Sequence, residues 1–313
     1  MGFLKYALRK LGLMVVTLAI IASATFFLVN AVPGNPIAAR TLRMPETVKA
    51  ELYAKYGFDK PLWPRYVITM RGLLRGDFGM SAVYEGDTVP NIIASKLPVS
   101  ARLGLQQMLV GVTLGILLGV VSALKNGRAA DFAIIALAAF AVSIPQLVFS
   151  LLLQKFFAGA KTGLPIIGWS GFKSTILPTI AGAFVYTSFY ARLMKSSILD
   201  VIGQEYIMTA ESKGISGFRV VTRHVLRNAF VPIITYLPMT VAMCVTGSFF
   251  VESVFTIPGL GYYYVKSVQQ RDLSMVMGLT VFIAALLLAV VFVTDILYKL
   301  VDPRIRLERA GKR

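Results

Sequence analysis

The sequence predicts an all-α polytopic membrane protein with six transmembrane helices, and three observations carry that reading. Hydrophobic residues make up 56% of the 313 positions and charged residues only 15%, with a mean hydropathy of +0.71, more than a soluble core of this size conceals. Charges are spaced so that six runs remain free of them, at 11–39, 103–124, 132–154, 174–191, 228–251 and 273–294. At 1.5 Å rise per residue each run can cross roughly 30 Å of hydrocarbon. Finally, Lys and Arg near the run ends are unevenly shared between the two sides, as the resistance of cations to translocation requires.

An even number of spans puts both termini on one side. The N-terminus (Lys5, Arg9, Lys10), the 125–131 loop (Lys125, Arg128), the 192–227 loop (Arg192, Lys195, Lys213, Arg219, Arg223, Arg227) and the tail from Lys299 onward hold most of these cations. Lys155, Lys161, Lys173, Lys266 and Arg271 are their counterparts in the opposite short loops. Both termini are therefore expected to be cytoplasmic. The net charge of +17 reflects membrane topology and attraction to anionic lipid rather than nucleic-acid binding, because the basic residues are dispersed among spans.

The chain divides into an N-terminal segment with the first span (1–39), an extracytoplasmic helical insert (40–97), a core of five spans (98–300) that includes the loop 192–227, and a basic tail (301–313). The first uncharged run is too long for a signal-peptide h-region and is read as a retained span. Within the insert, Pro45 opens a helix with Val48, Leu52 and Tyr56 at i+4 spacing and Gly57 as its stop. A second helix is expected from about Pro64 to Leu74, with Tyr66, Met70 and Leu73 or Leu74 facing inward.

In the second span Gly111, Gly115 and Gly119 recur every fourth residue, with Gly104 one heptad earlier. Small residues at that spacing admit close helix contact, so this span is expected to be a packing core. The third span carries Ser143, Gln146, Ser150 and Gln154 on one polar stripe beside Pro145. Such a face turns into the bundle or into water, which leaves a translocation path and interhelical hydrogen bonding both open. Tyr186 and Tyr190, with Thr187, Thr235, Thr240 and Thr246, are further lining candidates. No span holds an interior carboxylate for a proton or sodium relay, so ion-coupled transport has little support, while a stand-alone channel or ion-driven carrier remains the remote alternative. After the fifth span, Glu252 opens the segment ESVFTIPGLGYYY, where Pro258, Gly259 and Gly261 call for a sharp turn.

No catalytic set emerges. There is no GxxxxGK[ST] phosphate loop, the one histidine (His224) lies in a polar loop, and the one cysteine (Cys244) lies within a span. No metal site, cofactor or enzymatic activity is expected on this chain.

The most informative stretch is the polar insert between the fourth and fifth spans. Gln204 to Lys213 suits a short helix ending at Gly214, and a second helix from about Ser216 carries Arg219, Arg223 and Arg227 at i+4 intervals. These residues resemble the permease subunits of binding-protein-dependent ABC importers, in the group that carries oligopeptides, dipeptides and nickel. The group's TAxxKG and RHxLRNAxxP patterns match TAESKG at 209–214 and RHVLRNAFVP at 223–232. The family's broader EAA pattern, aligned on Gly214, falls on Met208, Thr209 and Ala210, so its leading glutamate is missing. Further matches are VPGNPI at 32–37, KYGFDKPLWPRY at 55–66, LRGDFGMS at 74–81 and VESVFTIPGLG at 251–261.

The resemblance implies a multi-pass subunit of a bacterial or archaeal cell membrane that moves peptides by alternating access, or nickel or another small solute by the same machinery. It implies a second homologous permease, two cytoplasmic ATP-binding subunits that hold ATP and magnesium, and an extracytoplasmic substrate-binding protein. By that analogy Glu205, Tyr206, Met208, Thr209, Ala210, Glu211, Ser212, Lys213 and Gly214 form the coupling helix that docks on an ATPase. Glu252, Pro258, Gly259 and Gly261 would lie at the outer gate.

Overall fold

The computed structural model describes residues 3–31, 45–55, 59–84, 86–159, 162–245 and 247–301. Thirteen α-helices and one π-helical turn organise them: α1 (Phe3–Ala31), α2 (Glu46–Lys55), α3 (Leu62–Leu74), α4 (Val89–Leu124), α5 (Ala129–Ser143), α6 (Gln146–Phe157), α7 (Lys173–Ile202), α8 (Glu205–Ser212), α9 (Gly217–Arg219), the π turn Val220–Val225, α10 (Leu226–Val245), α11 (Phe249–Val254), α12 (Leu260–Gln269) and α13 (Leu273–Val301). No strand forms among the described residues, only isolated bridges at Met80 with Thr88 and Gly159 with Leu164.

Four helical stretches are long and apolar enough to cross a membrane: Lys5–Ala31, Val89–Leu124, Gly217–Val254 and Leu273–Thr294. The pair α5 and α6, bent by 105°, makes a fifth if it is one broken span. The uncharged run at 132–154 is thus not a straight helix. Ile144 is extended (φ −91°, ψ 123°) as residues before proline tend to be, and Pro145 supplies no backbone N–H to continue the ladder. The run at 174–191 does lie inside the thirty-residue α7, which is not among the helices that qualify by composition. Its buried side chains include Ser174, Thr175, Ser188 and Ser197, polarity that suits a helix enclosed by protein. Helix α4 begins at Val89, so residues 89–97 are continuous in one helix with the charge-free run at 103–124.

The contacts group the chain into two compact units, 1–95 with 264–313, and 96–263. In the first, α1 packs along α13 around Ala22, Phe26, Met277 and Val281, and α3 adds Tyr66, Met70 and Leu73 to that cluster. Leu74, a candidate for the inner face of α3, is instead 88% exposed. Tyr66 hydrogen-bonds Ser23 at 2.8 Å and stacks on Phe27 and Trp63. Asp272 caps α13 through the Met275 N–H (3.1 Å) and accepts the Ser81 hydroxyl, fixing the segment after α3 to the start of the last helix. Tyr56 and Gly57 of the first insert helix, Thr246, the VPGNPI motif and the basic tail lie outside the described residues.

In the second unit α7 is central, touching α5, α6, α10 and α11. The glycine stripe of α4 makes its contact with α7. A Cβ on Gly111 would come within 2.6 Å of the Ala183 carbonyl, one on Gly115 within 2.7 Å of the Tyr190 Cβ, and one on Gly119 within 2.6 Å of the Ala191 carbonyl. Gly104, although nearly on the same face, abuts the α10 backbone at Cys244. Backbone-to-backbone approach of this kind holds helices together where lipid is as apolar as the side chains.

Replacing Gly115 by leucine is expected to wedge α4 from α7 and to destabilise the folded protein by about 1–3 kcal/mol, the usual range for overpacking. Leu117→Ala, at an exposed position of the same helix, serves as the near-neutral control in the same melting assay.

Candidate functional site

Two polar constructions stand at opposite ends of α7, both within the second unit. One is the insert that follows α7. Gly203 closes that helix, and Gln204, extended at φ −81° and ψ 145°, turns the chain into α8. The helix spans Glu205–Ser212, one residue shorter at each end than the sequence suggests. It stops in a Schellman arrangement: the Gly214 N–H reaches the Glu211 carbonyl (2.9 Å) and the Ile215 N–H the Ala210 carbonyl (3.4 Å). Gly214 takes φ +76°, a conformation that costs other residues strain.

Side chains divide α8 sharply. Ile207 (1% exposed) and Ala210 point inward, three residues apart on one face, and join a buried cluster with Met194 and Ile198 of α7, Val220 and Val225 of the π turn, and Ala229 and Ile233 of α10. Glu205, Tyr206, Met208 (54% exposed), Thr209, Glu211, Ser212, Lys213 and Gly214 are exposed. Thr209 and Ser212 donate back to the Glu205 and Met208 carbonyls, so this surface offers apolar and charged contacts more than free hydroxyl donors. Tyr206 is tethered by the Asn228 amide, which donates to its hydroxyl at 2.9 Å.

The predicted basic helix after α8 is interrupted. Val220–Val225 hydrogen-bonds in the i→i+5 manner, so Arg219, Arg223 and Arg227, all exposed, do not keep a regular i+4 row. The widened turn sits where α8 packs against the helix leading into α10.

At the other end of α7, Glu252 of α11 is fully buried. Its carboxylate accepts the N–H groups of Ser248 (3.2 Å), Gly261 (2.8 Å) and Tyr262 (3.2 Å), together with the Ser100 hydroxyl. The Ser100 oxygen in turn accepts the Leu260 N–H at 2.7 Å. Orphan amides at the start of α12 thereby find an anion, the arrangement that favours negative charge at a helix N-terminus. The glycines of the PGLG segment serve this anchor by leaving room: a Cβ on Gly259 would collide with the Glu252 carboxylate, as would one on Gly247, and one on Gly261 would strike the Phe249 backbone while crowding that carboxylate. The residue that adopts a left-handed backbone in this turn is Thr256, at φ +52°. Pro258 lies two residues before the start of α12.

The path candidates are divided by the bend. Ser143 is exposed at the end of α5 and donates to the Ala139 carbonyl, whereas Gln146, Ser150 and Gln154 share a face of α6. Ser150 is fully buried, and Gln154 bridges the Ile166 and Val254 carbonyls at 2.9 Å each, tying α6 to α11. Tyr186 is half-buried, and Tyr190, fully buried, meets the Thr240 hydroxyl at 2.5 Å. Sequence reasoning missed Ser100, whose partner Glu252 is remote in the chain.

Residues 112–307 match the family described as "Binding-protein-dependent transport system inner membrane component". Over 307 residues the chain is 37% identical to the dipeptide transport system permease protein DppB of Bacillus subtilis, covering 98% of this chain and 99% of that protein. The oligopeptide transport system permease protein OppB of Haemophilus influenzae is 35% identical over 305 residues, with 97% and 99% covered. In fold, the chain is similar to the inward-facing MetNI methionine ABC transporter, with a TM-score of 0.52 and 16% identity over 67% of this chain and 96% of that one. The chain therefore belongs to the family of binding-protein-dependent transport system inner membrane components.

Proposed function

We propose that this chain is the permease subunit of an ATP-driven importer of peptides. The observation that carries the reading is the near full-length similarity to dipeptide and oligopeptide permeases, joined to a short exposed helix seated in the core of the bundle. Six crossings follow if the bent pair α5 and α6 is one span and α7, shielded by its neighbours, is another. The excess of Lys and Arg near the N-terminus and the 192–227 loop supports a cytoplasmic position for both termini and for α8.

In this account α8 is the coupling helix. Its exposed face, with Met208 as the apolar knob and Glu205, Glu211 and Lys213 around it, docks on one of two partner ATPases, and Ile207 and Ala210 transmit the displacement inward. ATP and magnesium are held by those partners, while this chain contributes no catalytic group. ATP binding draws the ATPases together, the helices of this chain and of a second, related permease rock as rigid bodies, and the path opens outward to receive peptide from an extracytoplasmic binding protein. Hydrolysis returns the inward-facing state. The Glu252 anchor is assigned to the outer gate, where it holds the turn between α11 and α12 in one shape.

Met208→Glu leaves the buried face of α8 intact and is expected to abolish peptide uptake and retention of the ATPases while the chain still inserts into the membrane. Normal uptake by this variant in a permease-deficient strain would contradict the assignment. Glu252→Gln places an amide N–H among backbone donors and is expected to weaken the turn by about 1–3 kcal/mol, the cost of leaving buried donors unpaired. Hydrogen exchange should then quicken at Gly261 and Tyr262, and unchanged protection would show that the carboxylate does not hold the turn.

A further inference from the structure

Another buried carboxylate lies near the α8 end of α7. Asp131, on the first turn of α5, is 4% exposed and gathers three donors. Its Oδ1 accepts the Lys195 ammonium at 2.6 Å and the Ser122 hydroxyl at 2.5 Å, and its Oδ2 accepts the Gly127 N–H at 3.0 Å. Ser122 belongs to the last turn of α4, Gly127 to the turn that follows, and Lys195 to α7, about two turns before that helix gives way to α8.

The position of Lys195 gives this cluster its meaning. Met194 and Ile198, on the same stretch of α7, seat Ile207 and Ala210 of α8. The end of α7 is therefore gripped twice, by apolar packing toward α8 and by a charge-assisted network toward α4 and α5. These two grips differ mechanically. Apolar packing seats α8 by close contact, whereas moving Lys195 away from Asp131 would leave a nearly inaccessible carboxylate and an ammonium only 19% exposed without their partner. A buried ion pair is also a poor choice for stability alone, since well-packed neutral substitutes are often equally stable.

We infer that Asp131 and Lys195 are a positioning pair that carries displacement of the coupling helix from α7 into α4 and α5. The inference rests on the proposed importer function and names the joint through which that function reaches the remaining helices of the unit. Neither residue touches substrate or nucleotide in this scheme.

The test uses the full transporter, this chain with its partner permease and ATPases, in proteoliposomes supplied with binding protein and a labelled dipeptide. The readout is dipeptide transported per ATP hydrolysed, alongside the melting temperature of the complex. The double variant Asp131→Asn with Lys195→Met removes both charges, so no unpaired charge is left to unfold the protein. It is expected to assemble and melt like the wild type while transport per ATP falls about tenfold, within the span of ordinary coupling energies. Lys195→Arg, which keeps the ion pair, should retain the wild-type ratio. A wild-type ratio in the double variant would overturn the inference, and so would failure of that variant to assemble, which would make the pair a folding element. Absence of dipeptide transport by the wild-type complex would instead refute the importer reading.

Discussion

Everything at the α8 end of the second unit depends on the burial of Ile207 and Ala210 against α7, the π turn and α10. Without that contact α8 would be an eight-residue helix on a polar loop, too short to persist alone. Full burial of a side chain the size of Ile207 contributes about 1.5–3 kcal/mol, enough to hold a helix whose ends are already defined by Gln204 and Gly214. Because the seat is built from residues of α7 and α10, force applied to the exposed face of α8 enters two long helices at once.

The same logic of close contact and buried polarity recurs through the unit. Lipid supplies no hydrophobic drive for one helix to prefer another, so the glycine stripe of α4 lets its backbone lie against α7, and hydrogen-bonded polar groups fix what packing alone would leave free. Asp131 does this near α8, and Glu252 does it at the far end of α7, where three glycines make room for one carboxylate. Between them, Tyr190 and Thr240 join α7 to α10. Among the described residues of this unit, rigid helices meet at a few specified points, an arrangement suited to motion as bodies rather than by deformation.

Much of this was legible in the sequence, and what was not has physical reasons. The glycine repeat announced helix contact, Gly214 announced the end of α8, and TAESKG with RHVLRNAFVP pointed to the family that the comparisons establish. Periodicity could not show the 105° bend, because Pro145 signals a kink without its angle. Nor could it show the π turn, which carries no composition of its own and breaks the expected row of arginines. Helix α7 was found from its uncharged run although its hydroxyls lower its hydropathy. The pairings of Ser100 with Glu252 and of Asp131 with Lys195 join residues 152 and 64 positions apart, and one sequence read alone holds no signal for contacts of that range. The PGLG turn was read as conformational need, whereas Gly259 and Gly261 give space to a carboxylate.

As a coupling helix seated in this way, α8 should move with α7 and α10 as one piece when ATP is bound and hydrolysed. Spin labels on cysteines placed at the exposed positions Ser212 and Val231, with the buried Cys244 replaced by alanine, report the separation of α8 from α10 in the assembled transporter. One distance distribution is expected, unchanged between the nucleotide-free and ATP-bound states. A separation that shifts between those states would mean that α8 swings free of its seat, and would contradict motion as one piece.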